Sequence, residues 1–375
     1  MEKRTFEKLG VSASLLGFGC MRFPMQGDGE IDEAAGEQML TEAYEAGVNY
    51  FDTAYPYHNG KSEPFVGKVL NKFKRDSYYL ATKLPVWFVK KEEDVRRIFE
   101  EQLQRLDKDY VDFYLLHALN AERLADLVDC KVIETCEQLK KEGKIKYLGF
   151  SFHDSYEAFE KIAKLYPWDF CQIQYNYMDT DFQAGDKGYA LTEELDIPVV
   201  VMEPIRGGSL ANHSKEILTK FRSQNPDATP SSYALRWVAS HPNVKVVLSG
   251  MSSLAQMRDN LATFSDFKPL NEQEREIIDE VASILKSRVQ NACTACGYCM
   301  PCPAKVNIPM NFKAWNDYHT YQSYGAIKFL WEVAIGEESK AKNCVECGKC
   351  EKSCPQGIAI RADLKRVQED LTVTS

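Results

Sequence analysis

Two sets of side chains in this sequence have the types and spacing to do chemistry. The first is sulfur. Eight of the twelve cysteines fall after residue 290, as CTACGYCMPCP (Cys293, Cys296, Cys299, Cys302) and CVECGKCEKSCP (Cys344, Cys347, Cys350, Cys354). Thiols two or three residues apart, each group closing on Cys-Pro, read as metal or redox ligands in a chain of this length rather than as disulfides. The second set is ionisable. NYFDTAYPY carries Asp52 and Tyr57, YYLATK ends in Lys83, and VDFYLLH ends in His117. A tyrosine beside an ammonium and an imidazole is expected to have a lowered pKa and to donate a proton to a carbonyl oxygen, with Asp52 holding the lysine. Each of these four has an ordinary structural explanation alone; together, at the ends of consecutive strands, they point to a proton relay.

Positioning such a set requires a framework whose strand ends converge. Short runs rich in β-branched and aromatic residues supply it: LLGFGC (15–20), NYFDT (49–53), YYLATK (78–83), VDFYLLH (111–117), KYLGFS (146–151), FCQIQY (170–175), PVVVME (198–203) and KVVLSG (245–250). Helical stretches separate them, among them EAAGEQMLTEAYEAG, EEDVRRIFEEQLQRL and ADLVDCKVIETCEQLKKEGK, the last stopped at Gly143. Eight strands alternating with helices predict an α/β fold, a (β/α)8 TIM barrel, with its site at the C-terminal ends of the strands. A doubly wound sheet is the weaker reading, because LGFGCM has a GxG but no GxGxxG. The helix NEQEREIIDEVASILKS leads out of the barrel, and composition changes at Asn291. The expected domains are a barrel over 1–288 and a small, mainly helical ferredoxin-like domain over 289–375. The aromatic stretch between the cysteine groups, with Trp315, Tyr318, Tyr321, Tyr324 and Trp331, reads as core packing.

The cysteine pattern resembles that of two-cluster bacterial ferredoxins, in which three thiolates of one group bind one cluster and the cysteine before proline crosses to the other. The resemblance implies two [4Fe-4S] clusters. Cys293, Cys296, Cys299 and Cys354 would hold one, and Cys344, Cys347, Cys350 and Cys302 the other. The first group departs from the pattern, with x2 where x3 is usual before its last cysteine. Two structural zinc sites are the alternative for such pairs. Cys20, Cys130, Cys136 and Cys171 read as buried small apolar residues.

FDTAYPYHNGKSE, ATK and LLH resemble the signatures of the aldo-keto reductases, and the likeness runs over about residues 5 to 265. It implies Tyr57 as general acid, Lys83 and Asp52 as its tuning pair, and His117 as the group orienting a carbonyl. It also implies Ser151 and Gln172 on the carboxamide of a nicotinamide, and Ser252, Ser253, Gln256 and Asn260 at the cofactor phosphates and adenosine. The chain departs from the family pattern at Phe152, where an asparagine is common, at Met202, in the place of a stacking aromatic, and at Gln256, in the place of an arginine for the 2'-phosphate. NADP(H) and NAD(H) therefore both stay open. Among the other histidines, His58, His153, His213, His241 and His319 have no partner readable from the sequence, and His153 lies nearest the expected mouth.

A net charge of −9, a pI near 5.4 and no basic block argue against nucleic acid and anionic membranes as partners. No apolar run reaches the length of a membrane span, and MEKRTFEKLG lacks the apolar core of a secretory signal, so a cytoplasmic protein is expected. The reading is an oxidoreductase that reduces a small-molecule carbonyl or related unsaturated substrate, with its clusters exchanging electrons with a ferredoxin or flavoprotein partner. Nicotinamide passes electron pairs and clusters pass single electrons, so a mediator is needed, and FMN in the barrel is one candidate. The alternative is a nucleotide-sensing binding module whose clusters act as relay or redox sensor. A third reading makes the clusters structural pins.

Overall fold

All eight apolar runs form strands in the computed structural model, which describes residues 1–27 and 29–372. A short antiparallel hairpin, β1 (Lys3–Phe6) and β2 (Val11–Ser14), precedes them. The others are β3 (Leu16–Gly19), β4 (Tyr50–Asp52), β5 (Tyr79–Leu84), β6 (Val111–Leu119), β7 (Ile145–Phe152), β8 (Phe170–Gln174), β9 (Val199–Met202) and β10 (Val244–Gly250). They pair in parallel in sequence order, and β10 closes onto β3 to complete the barrel. The fold is the (β/α)8 barrel expected from the alternation. Helices intervene between strands: α1 (Glu33–Glu45), α2 (Ser62–Leu70), α3 (Glu92–Leu106), α4 (Leu124–Asp129), α5 (Val132–Lys141), α6 (Tyr156–Leu165), α7 (Gly185–Glu194), α8 (Lys215–Arg222) and α9 (Pro230–Ala239). Next come α10 (Leu254–Ser265), α11 (Glu272–Ser287), α12 (Ile308–Tyr321), α13 (Lys349–Ser353) and α14 (Ile360–Thr372).

The chain divides into two compact units, one of residues 1–207 with 231–271, the other of residues 208–230 with those from 272 onward. In the first, the barrel interior is filled. Tyr50, Ala81, Phe113, Leu115, Phe170, Val200, Val246 and Leu248 form one buried cluster with Phe6, Val11 and Ala13 of the hairpin, which turns at left-handed Gly10. This is the packed core that parallel barrels require, and the hairpin is part of it. Strand periodicity then does the positioning. Two residues beyond Tyr50, Ala81, Leu115 and Phe170, on the same inward face, stand Asp52, Lys83, His117 and Gln172.

The segment 125–144, expected as one helix, is two. Lys131 is left-handed at φ 47° and separates α4 from α5. Buried Leu127 and Cys130 are three apart, as are Cys136 and Leu139, but Cys130 and Val132 are only two apart. An unbroken helix would turn one of these sets outward. Gly143, left-handed at φ 74°, follows α5 at the expected stop.

In the second unit, Val306, Ile308, Phe312, Trp315, Ile327 and Trp331 form a core with Ile360, Leu364, Val367 and Leu371 of α14. Trp315 Nε1 and His319 Nε2 both reach Asp370 at 2.7 Å. Lys220 pairs with Glu280 at 2.6 Å and Arg288 with Glu216 at 2.9 Å, so α8 and α11 belong to this unit. Among the described residues no helix is long and apolar enough to cross a membrane.

Candidate active site and thiol-lined cavities

Lys83 is at the centre of the barrel's polar cluster. Its ammonium, fully buried, lies 2.5 Å from Asp52 Oδ1, donates to the Thr53 carbonyl at 2.8 Å and reaches Tyr57 Oη at 3.2 Å. The same nitrogen is 4.7 Å from the centre of the Tyr57 ring. Asp52 Oδ2 accepts from Gln172 Nε2 at 3.0 Å. Because the lysine donates to Oη, the tyrosine proton is left to point elsewhere. The backbone beyond Tyr57 passes through left-handed His58, Asn59 and Gly60. That turn is held by His58 Nε2, which accepts from Phe23 N–H at 3.3 Å, and by Ser62 Oγ, which donates to the Cys20 carbonyl and accepts from Thr53 Oγ1, both at 2.8 Å.

His117 meets the Tyr57 ring edge-on, with centroids 6.0 Å apart, and the Trp87 ring at 5.1 Å. It makes no side-chain hydrogen bond among the described residues, and its Nδ1 is buried. Burial, with the nearby charges of Lys83, His153 and Arg123, holds its pKa well below the usual imidazole value, so the ring is neutral.

The expected lowering of the Tyr57 pKa does not occur. Burial raises it, and although Lys83 pulls it down, Asp52 pushes the other way. The cation is seen by the tyrosine only through an ion pair, which weakens its field, and the loss of water outweighs what remains of it. Burial alone would lower Lys83, but Asp52 and Tyr57 outweigh it and its pKa rises, so the ammonium keeps its proton. Asp52 is also raised, by burial, with Lys83 and Gln172 offsetting part of the effect.

Ser151 and Gln172 stand side by side on paired strands. Ser151 Oγ accepts from the Ala118 N–H at 2.8 Å, which leaves its hydroxyl proton, and Gln172 commits its amide nitrogen to Asp52, which leaves its oxygen. Phe152 is fully buried against Phe159, so it contributes to packing. At the start of α10, Ser253 Oγ caps the Gln256 N–H, and Gln256 Oε1 accepts from the Ser252 N–H at 2.8 Å. Asn260, buried, donates to Ser249 Oγ at 2.9 Å. His153 is exposed and lies 3.3 Å from Gln183 Oε1.

Three neighbours of this site carried no mark in the sequence reading. Trp87 backs His117, with the Arg123 guanidinium 5.0 Å from its ring. The Arg22 carbonyl accepts from Ser252 Oγ at 2.9 Å, and its guanidinium reaches toward Gly207, where an added Cβ would lie 3.9 Å from Nη2. A signal existed only for Trp87, in KLPVWF directly after the Lys83 strand.

In the second unit the eight clustered thiols line two cavities. Cys293, Cys296, Cys299 and Cys354 line one, with Phe312 and Pro355. Cys302, Cys344, Cys347 and Cys350 line the other, which Cys299 also touches. Cys354 and Cys302 thus face the groups of the opposite segment. Among the described residues no three Cys, His, Asp or Glu side chains close on one point. Burial lifts Cys293, Cys299 and Cys350 above the ordinary thiol value, and neighbouring thiols add to it, Cys296 and Cys354 at Cys293 among them. Four thiols lining each cavity are a donor set whose chemistry fits sulfur-liganded iron, which binds thiolate and must displace those protons. Cys20, Cys130, Cys136 and Cys171 are buried, as expected of small apolar residues.

Comparison with known proteins adds to this geometry. Residues 15–283 match the Aldo/keto reductase family and residues 292–359 a 4Fe-4S dicluster domain. The chain is 27% identical over 311 residues to probable aldo-keto reductase 1 of Glycine max, spanning 72% of this chain and 86% of the relative. It is 23% identical over 300 residues to the NADH-specific methylglyoxal reductase of Escherichia coli, spanning 69% and 91%. Among solved structures, the holo form of aldo-keto reductase AKR11C1 from Bacillus halodurans superposes with a TM-score of 0.62 at 28% identity, covering 75% of this chain and 96% of that one.

Proposed function

The chain belongs to the aldo/keto reductase family and carries a 4Fe-4S dicluster domain, and from that premise we propose that its barrel reduces a small carbonyl or related unsaturated compound with Tyr57 as proton donor. The observation that carries the reading is the buried Lys83 ammonium, paired with Asp52 and 3.2 Å from Tyr57 Oη, on the inward face at the C-terminal strand ends.

NADP(H) or NAD(H), when bound, supplies the hydride; the Escherichia coli relative is named for NADH. Ser151 would hold the carboxamide through its free hydroxyl proton and Gln172 through its free oxygen. Ser252, Ser253, Gln256 and Asn260 would take the phosphate and adenosine end. Arg22 beside Ser252 and the amino end of α10 both favour an anion there.

Tyr57 delivers the proton. An acid with a raised pKa stays protonated through neutral pH, and it gives up its proton once negative charge develops on the substrate oxygen, because an alkoxide is far more basic than a tyrosinate. Lys83 then faces the tyrosinate directly, and Asp52 keeps the ammonium in place while its charge is needed. Neutral His117, backed by Trp87, orients the carbonyl oxygen beside Tyr57.

The two cavities of the tail would each hold a [4Fe-4S] cluster, on Cys293, Cys296, Cys299 and Cys354 and on Cys344, Cys347, Cys350 and Cys302. When bound, these clusters supply single-electron exchange with a ferredoxin or flavoprotein partner. A barrel-bound flavin such as FMN would reconcile one-electron and two-electron traffic. In this reading the reductase function belongs to residues 1–288 and the clusters to 289–375, in a protein of the cytoplasm. Anaerobic purification with iron and zinc analysis tests the tail. About eight irons per chain are expected, falling to about four in Cys354→Ser with the other cluster kept; about two zincs and no iron would refute it.

A further inference from the structure

Glu63, at the second position of α2, is fully buried and takes no part in the relay described above. Its Oε1 accepts from Thr82 Oγ1 and from Gln102 Nε2, both at 2.7 Å. The same Gln102 nitrogen donates to the Lys83 carbonyl at 3.0 Å, and Gln102 Oε1 accepts from Tyr114 Oη at 2.7 Å, which fixes which way the amide points. Among the described residues Glu63 Oε2 has no hydrogen bond, and it faces Arg105 Nη1 at 3.5 Å. Arg105 Nη1 in turn reaches the Tyr55 carbonyl at 3.4 Å, with its guanidinium 3.9 Å from the centre of the Tyr55 ring.

One carboxylate therefore ties two backbones. On one side is the strand that carries Lys83, on the other the turn two residues before Tyr57. We propose that Glu63 is a positioning residue for the reduction, holding Lys83 and Tyr57 at the separation that proton transfer needs. A buried carboxylate is costly where an apolar side chain would fill the space. A carboxylate oxygen accepts more than one hydrogen bond, which is what two converging donors at Oε1 demand. The Lys83–Tyr57 distance is the quantity at stake, because reacting groups displaced by an ångström lose on the order of a hundredfold in rate.

The inference rests on the proton-donor reading of Tyr57, so its test separates the two. Steady-state kinetics of aldehyde reduction with NADPH would be measured on holoprotein carrying Glu63→Ala, Tyr57→Phe, or both. Glu63→Ala is expected to lower kcat by about 10- to 100-fold with the aldehyde KM within about twofold, and to cost nothing further in the Tyr57→Phe background, as groups acting as a unit do. An equal loss in both backgrounds, or no loss in either, overturns it. If Glu63→Ala does not fold, Glu63→Gln, which keeps one oxygen for Thr82 and Gln102 but turns an NH2 toward Arg105, is expected to lower kcat by at least about threefold and to cost nothing further in the Tyr57→Phe background; a folded Glu63→Gln with unchanged kcat overturns it too. Full turnover by Tyr57→Phe alone overturns the acid assignment and this inference together. A loss in Tyr57→Phe with none in Glu63→Ala overturns the inference only.

Discussion

Tyr57→Phe is expected to lower kcat for aldehyde reduction by about 10²- to 10⁴-fold, the usual contribution of a positioned general acid. The substitution removes one oxygen and keeps the ring that meets His117 edge-on. Lys83 loses one hydrogen-bond acceptor but retains Asp52 and the Thr53 carbonyl, so the fold should lose no more than about 1 kcal/mol. Nucleotide affinity should hold, because the residues assigned to the cofactor are elsewhere. The check is kcat and KM for an aldehyde, with nucleotide binding followed separately by fluorescence. Turnover within about threefold of wild type would mean that the proton comes from another group.

Lys83→Met is expected to be as severe for turnover and, in addition, to destabilise the barrel by about 3–5 kcal/mol. Both partners of this ion pair are buried, so removing the ammonium leaves the Asp52 carboxylate, among the described residues, with Gln172 as its one side-chain partner. The loss should depend on pH, with a defined sign. Burial already raises the Asp52 pKa, and without Lys83 it rises further. A carboxyl whose folded pKa lies above its unfolded value of about 3.9 contributes no penalty below that value; the penalty grows as pH rises through the gap and then levels off. Lys83→Met should therefore be closest to wild type near pH 4 and furthest from it near pH 8, read as the urea midpoint of the barrel transition. Adding Asp52→Asn should recover part of the stability and none of the turnover. A pH-independent deficit would assign the loss to packing.

How legible this was follows from which forces act locally. The eight barrel strands were readable because strands buried on both faces must be continuous apolar runs, and the inward relay because period-two alternation places Asp52, Lys83, His117 and Gln172 above a filled core. The hairpin was not readable. Its strands are four residues long, and Phe6, Val11 and Ala13 become core only because Phe113 and its neighbours meet them. The break at Lys131 depends on two buried faces that one helix cannot serve. The Tyr57 pKa came out opposite in direction to expectation, because charged neighbours can be named from a motif whereas the degree of burial cannot. Trp87, Arg123 and Arg22 reach the site from separate loops, and the tie from Glu63 to Lys83 runs through Gln102, thirty-nine residues away in sequence. The cysteine groups were the most legible feature, since their spacing alone marks them out, and the lining of the two cavities includes the expected fours.

The measurement that bears most directly on proton donation by a Lys83-held Tyr57 is the initial rate of aldehyde reduction by anaerobically purified wild-type protein with NADPH or NADH, from pH 6 to 11. With Tyr57 raised above the ordinary tyrosine value of about 10 and His117 held below the ordinary imidazole value of about 6.5, the rate should be level from about pH 7 to 9 and fall only above about 10. Nucleotide binding without turnover, or a rate falling tenfold per pH unit already between about 7 and 9, would contradict it.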